Sequence, residues 1–127
     1  MYDNNIKDML EHYGAALSNG DLSVISSCWA VPALVLSDDG ALAVTNPSEI
    51  EAFFAQGIEY YRSQGLSSTR PELERVEMLS DTLASVDVRW PAYDSSGEEK
   101  SSERSHYILQ LGKDGQPHIR VAFTRTL

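Results

Sequence analysis

Tyr13 lies in the stretch HYGAALSNGDL, residues 12–22, on the apolar side of a helical pattern and just ahead of a Ser-Asn-Gly-Asp break. A phenol placed there can fill a core with its hydroxyl tied to a buried partner, or it can hold out an O–H that polarises a ligand carbonyl. The apolar stripe favours the first reading, and the second depends on a pocket. Ser105, His106 and Asp87 have the residue types of a nucleophilic triad, but neighbours on a strand point to opposite faces, which separates Ser105 from His106. His12, His106 and His118 lack an i, i+4 spacing and Cys28 has no second cysteine to pair with, so no metal site is expected. Arg70, Arg75, Arg104, Arg120 and Arg125 are scattered without a glycine-rich phosphate loop, and no nucleotide or other cofactor is expected.

The elements that must position these groups follow from periodicity. Tyr2, Ile6, Met9, Leu10, Tyr13, Ala16 and Leu17 recur at three- and four-residue steps, which predicts a helix over 3–18 that stops at Asn19-Gly20. Asp21 suits the N-cap of a short second helix carrying Leu22, Ile25, Cys28 and Trp29. Ala30–Ser37 and Ala41–Thr45, joined by the turn signal Asp38-Asp39-Gly40, read as a β-hairpin. Asn46-Pro47-Ser48-Glu49 starts a third helix, and Ile50, Phe53, Phe54, Gly57, Ile58 and Tyr61 mark its buried stripe up to Gln64-Gly65.

After Gly65 the period changes to two. Residues 66–79 are mixed and interrupted by proline, whereas Ala84, Val86, Val88 and Trp90 alternate with Ser85, Asp87 and Arg89. A polar connection over 94–103 leads to a strand at Arg104–Leu111, a turn at 112–115 and a last strand from His118 to Arg125. In that strand Ile119, Val121 and Phe123 alternate with His118, Arg120 and Thr124. Helices followed by strands make an α+β domain over 1–127: a cone-shaped, curved antiparallel sheet wrapped around three N-terminal helices, with a small-molecule pocket at the mouth.

Composition narrows the partners. The 127-residue chain has a formal net charge of −9, which repels phosphate backbones and anionic headgroups, so neither nucleic acid nor a membrane is an expected partner. The first ten residues lack the basic and apolar regions of a signal peptide, and the expected compartment is the cytoplasm.

Several motifs taken together resemble the nuclear transport factor 2-like superfamily, in its SnoaL-like and ketosteroid-isomerase-like branch. They are residues 13–22, Trp29-Ala30, Pro47-Ser48-Glu49-Ile50-Glu51-Ala52-Phe53-Phe54, His106-Tyr107 and Ile119-Arg120-Val121-Ala122-Phe123. The resemblance implies a cystatin-like α+β roll, usually a homodimer built through its sheets. Ketosteroid isomerases use an aspartate base with an oxyanion hole of one tyrosine and one neutral aspartic acid. Carried over by motif, Tyr13 matches that tyrosine, the base position falls on Ser37 and the acid position on Ser105. A one-residue shift would bring Asp38 to the base position, although turn chemistry favours Asp38 as a solvated hairpin tip. A serine with an unperturbed hydroxyl cannot abstract a carbon-bound proton at neutral pH, so isomerisation by that mechanism is not expected.

The catalytic candidates are therefore Tyr13, Ser37, Asp38 and Ser105, with Tyr13 and Ser105 as carbonyl-polarising donors and no named base. Trp29, Trp90, Tyr107 and Phe123 join Tyr13, Ser37 and Ser105 as expected lining of an apolar pocket for a ring-containing small molecule. The resulting reading is a ligand-binding protein or an enzyme of unassigned reaction. Its alternative is a non-catalytic dimeric association module whose core is filled by its own aromatics.

Overall fold

A computed structural model describes the backbone of residues 2–126 and the side chains of residues 4–125. Tyr2, read onto the stripe of the first helix, has its side chain outside the described residues. In chain order the elements are α1 (Tyr2–Asn19), α2 (Leu22–Ser27), β1 (Trp29–Ser37), β2 (Gly40–Val44), α3 (Pro47–Ser63), β3 (Ser68–Thr69), β4 (Glu72–Met78), β5 (Leu83–Tyr93), β6 (Glu99–Leu111) and β7 (Pro117–Thr126). Together they form an α+β fold with one curved, unclosed sheet in the order β2-β1-β7-β6-β5-β3, β4 also pairing β5.

Local chemistry sets the helix boundaries. The Asp21 carboxylate accepts from Val24 N at 3.3 Å and caps α2. At α3, Asn46 Oδ1 accepts from Glu49 N at 3.1 Å, while Glu49 Oε1 accepts from Thr45 N at 3.0 Å and from Thr45 Oγ1 at 2.7 Å, a reciprocal capping arrangement. Ile6, Leu10, Tyr13 and Ala16 bury the predicted face of α1 against Ile25, Trp29 and the inward row Ala84, Val86, Val88 and Trp90 of β5. Each fully buried aliphatic side chain in this cluster contributes about 1.5–3 kcal/mol.

Two boundaries differ from expectation, Trp29 opening β1 instead of ending the second helix and β6 starting at Glu99 inside the expected polar connection, and three larger features depart as well. The sheet is mixed, because β1 and β7 run parallel with Leu34 opposite Val121 and Leu36 opposite Phe123. The junction joins the early hairpin to the last strand of the chain, two elements distant in sequence. Second, β7 changes parity. Leu109 pairs with Ile119 but Ile108 pairs with Val121, leaving Arg120 as the extra residue of a bulge. Its guanidinium fastens the bulge, donating from Nη1 to Pro32 O at 2.8 Å and from Nε to Gln110 Oε1 at 2.7 Å. Beyond it Ala122 and Thr124 face inward, and Phe123 faces outward, where it stacks on His106 with ring centroids 6.0 Å apart. Third, the expected buried stripe of α3 is only partly packed: Ile50 is buried, whereas Phe53 and Tyr61 are 45 % and 37 % exposed.

The outer face of the sheet carries ion pairs. Arg89 reaches Glu72 and Glu99, Arg104 reaches Glu74, and His106 Nδ1 lies 2.7 Å from Asp87 Oδ1. Exposed pairs of this kind are each worth about 0–1 kcal/mol, so they orient the face more than they stabilise it. Among the described residues no helix is long and apolar enough to cross a membrane.

Candidate functional site

Two indole–phenol pairs form the floor of the site. Tyr13, from α1, accepts a hydrogen bond from Trp29 Nε1 of β1 at 3.2 Å, and Tyr107, from β6, accepts one from Trp90 Nε1 of β5 at 3.0 Å. The pairs touch, with Tyr13 edge-on to Trp90 at 6.0 Å between centroids, and Phe54 of α3 closes over Tyr13 and Trp29 at 6.1 Å and 6.0 Å. Gly14 makes this packing possible: a Cβ there would sit 3.1 Å from Trp90 Cζ3 and 3.0 Å from Pro71 Cδ.

Burial also sets the protonation state. It pushes the Tyr107 phenol up to about 12, against smaller opposing effects of the Ser105 hydroxyl and the Trp90 N–H. It likewise raises Tyr13 well above the ordinary phenol value, with the neighbouring Tyr107 adding to the shift. Both phenols are neutral at physiological pH. Because each oxygen already accepts from an indole, the useful role left to each is donation through its own O–H.

Above the floor lies a cleft of about 830 Å³, within the size range of small-molecule sites. One wall is the inward face of β6 and β7, where the hydroxyls of Ser105 and Thr124 share a hydrogen bond of 2.7 Å. The facing wall is α3, where Phe54 and Ile58 border the space while packing on the core, and Phe53, Gly57 and Tyr61 border it further out. This explains the partial exposure of the α3 stripe. Exposure rises along the site, from Tyr107 at 5 % on the floor to Phe53 at 45 % on the rim. At the rim, the Tyr61 hydroxyl donates to the Glu103 carboxylate across the gap. Ser18 ties the end of α1 to β3, accepting from Thr69 N at 3.0 Å and donating to backbone carbonyls, so its hydroxyl is consumed structurally.

Six expected lining residues meet around this cleft: Tyr13, Trp29, Ser37, Trp90, Ser105 and Tyr107. Phe123 does not, because the bulge at Arg120 turns it to the opposite face. Ser37 lies at the exposed rim, with its Oγ accepting from Asp39 N at 3.3 Å in the hairpin turn. Asp38 stays at the exposed tip and outside the lining. Neither carries a base to the floor. Ser105 and His106 do point to opposite faces, and His106 pairs with Asp87 on the outer one. Glu103, Tyr61 and Thr124 are lining residues that sequence reasoning missed. Glu103 was legible by counting back two from Ser105 on one strand face, whereas Thr124 was hidden by the bulge.

No curated protein matches the sequence significantly. Solved structures share the fold at low identity. A domain of unknown function with a cystatin-like fold from Nostoc punctiforme superposes with a TM-score of 0.78 at 17 % identity, covering 98 % of this chain and 76 % of its own. An NTF2-like protein of unknown function from Shewanella oneidensis gives 0.76 at 17 % identity, covering 98 % of each chain. A ketosteroid isomerase-like protein from Erwinia carotovora atroseptica gives 0.71 at 13 % identity, covering 96 % of this chain and 93 % of its own. A family model described as NTF2-like protein (DUF6841) matches residues 3–126.

Proposed function

The chain belongs to the NTF2-like family DUF6841, and from that premise we propose that its cleft is a conical pocket for an apolar, ring-containing small molecule. The ligand's inner end carries a hydrogen-bond acceptor, such as a carbonyl oxygen, that meets the Tyr13 and Tyr107 hydroxyls. The observation that carries this reading is the pair of neutral phenols held by indole donors among the lining of an aromatic cleft.

The site supports recognition better than a named reaction. Oriented O–H donors suit an oxygen on which charge develops, but the positions that would hold an isomerase's carboxyl groups are Ser37 and Ser105. The test is a titration with 2-acetylnaphthalene and with 2-isopropenylnaphthalene, which replaces the carbonyl oxygen by a methylene. Quenching of the two tryptophans, Trp29 and Trp90, reports binding. The ketone is expected to bind about tenfold more tightly, in line with roughly 1.4 kcal/mol for a buried hydrogen bond. Equal affinities would remove the donor role, and absence of binding by either would remove the pocket.

We also propose homodimerisation through the outer sheet face. Leu34, Ile108, Val121 and Phe123 are adjacent there by strand pairing and only partly buried, which supports an apolar contact between copies. Light scattering should give a mass near twice 14.1 kDa, and a Val121→Lys substitution should lower it to the single-chain value. A single-chain mass for the unaltered protein would refute it.

A further inference from the structure

Resting on the pocket reading, we propose that Glu103 is a specificity residue for the ligand's outer end and selects molecules that bear a cationic or hydrogen-bond-donating group there. Glu103, Ser105 and Tyr107 occupy successive inward positions of β6, so one wall runs from a carboxylate at the rim, through a hydroxyl, to a phenol at the floor. The chemistry changes along it from acceptor to donor.

The Glu103 carboxylate receives the Tyr61 hydroxyl, and among the described residues no Lys, Arg or His comes within ion-pair distance of it. An ionised carboxylate offers about four acceptor sites, so one phenol leaves most of that capacity open to a ligand. The other charged lining residues do not compete. Asp39 belongs to the exposed hairpin turn, and the Arg62 guanidinium lies against Gly20, 2.8 Å from where a Cβ would stand.

Distance separates this role from that of a catalytic base. Four residues of strand at about 3.4 Å each put the Glu103 and Tyr107 backbones roughly 13–14 Å apart. A base acting beside a carbonyl held by Tyr107 has to come within hydrogen-bond reach of a proton about one bond away from that carbonyl. Glu103 starts a ring system's length away. A two-ring skeleton with a carbonyl at one end and an amine at the other spans the gap, and this is the substrate class the wall describes.

The test compares 6-aminomethyl-2-acetylnaphthalene with 6-methyl-2-acetylnaphthalene, again by tryptophan quenching. The unaltered protein is expected to prefer the amine by about tenfold, and Glu103→Gln, which keeps a partner for the Tyr61 hydroxyl, should bring the ratio close to one. Circular dichroism of E103Q checks that the fold is retained, and a second variant, Tyr61→Phe, should keep a clear preference because the carboxylate remains. Binding of the methyl compound with no preference for the amine would overturn this inference while leaving the pocket standing. Binding of neither compound would overturn both.

Discussion

A buried phenol need not be sealed in the core, and Tyr13 combines burial with a place on the lining of the cleft. It is 2 % exposed, as a core residue on an apolar stripe should be, yet it also lines the cleft, and its hydroxyl accepts from Trp29. Its place on the stripe was legible in the sequence. Its indole partner was not, because the contact joins residues from different elements and has no local signature. Tyr13→Phe leaves the Trp29 N–H without its acceptor and should cost about 1–3 kcal/mol in urea unfolding. A loss within error would show that the indole finds another partner. The raised phenols also predict a pH response. Tyr107 holds its proton up to about 12, from an ordinary 10.0, so the stabilisation linked to its neutral form is complete below pH 10 and falls away between 10 and 12. Tyr107→Phe should flatten that alkaline decline, and an unchanged profile would assign it to other groups.

At the scale of elements, two devices shape the site. The first is the crossing of α1 at Gly14 against the Trp90 ring and Pro71, possible because residue 14 has no side chain. Gly14→Ala gains helix propensity of up to about 1 kcal/mol but forces Trp90 or Pro71 to move, and overpacking of this kind costs about 1–3 kcal/mol. A net loss of stability with a shifted tryptophan emission maximum is expected; a net gain would mean that the crossing is looser than its distances. The second device is the bulge at Arg120. Strict period-two reading places Phe123 inside and Thr124 outside, whereas one extra residue reverses both. Helix caps, the hairpin turn and the β5 alternation were legible because each is written within a few consecutive residues. The parity change and the parallel β1–β7 junction were not, since each depends on how a strand meets a partner distant in sequence.

For the whole molecule, net charge bears on which compounds can approach the cleft. A net charge of −9 with a carboxylate at the rim should hinder anionic compounds from entering. 2-Naphthoate is therefore expected to bind severalfold more weakly than 2-acetylnaphthalene at low ionic strength, the gap narrowing as salt screens the field. A naphthoate affinity equal to that of the ketone at low salt would contradict this. The aromatic stripe of α3 illustrates why the cleft itself could not be read from sequence. Its periodicity is that of a core-facing helix, and nothing in the pattern distinguishes a face that packs on side chains from one that looks across a space of about 830 Å³.

A crystal structure of the protein with 2-acetylnaphthalene would show whether the two proposed donors, the phenols at the floor, meet a ligand oxygen. The naphthalene is expected between α3 and the sheet, with its carbonyl oxygen within hydrogen-bond distance of the Tyr13 or Tyr107 hydroxyl. A ligand bound with that oxygen turned to the rim, or a cleft closed by movement of α3 onto the sheet, would contradict it.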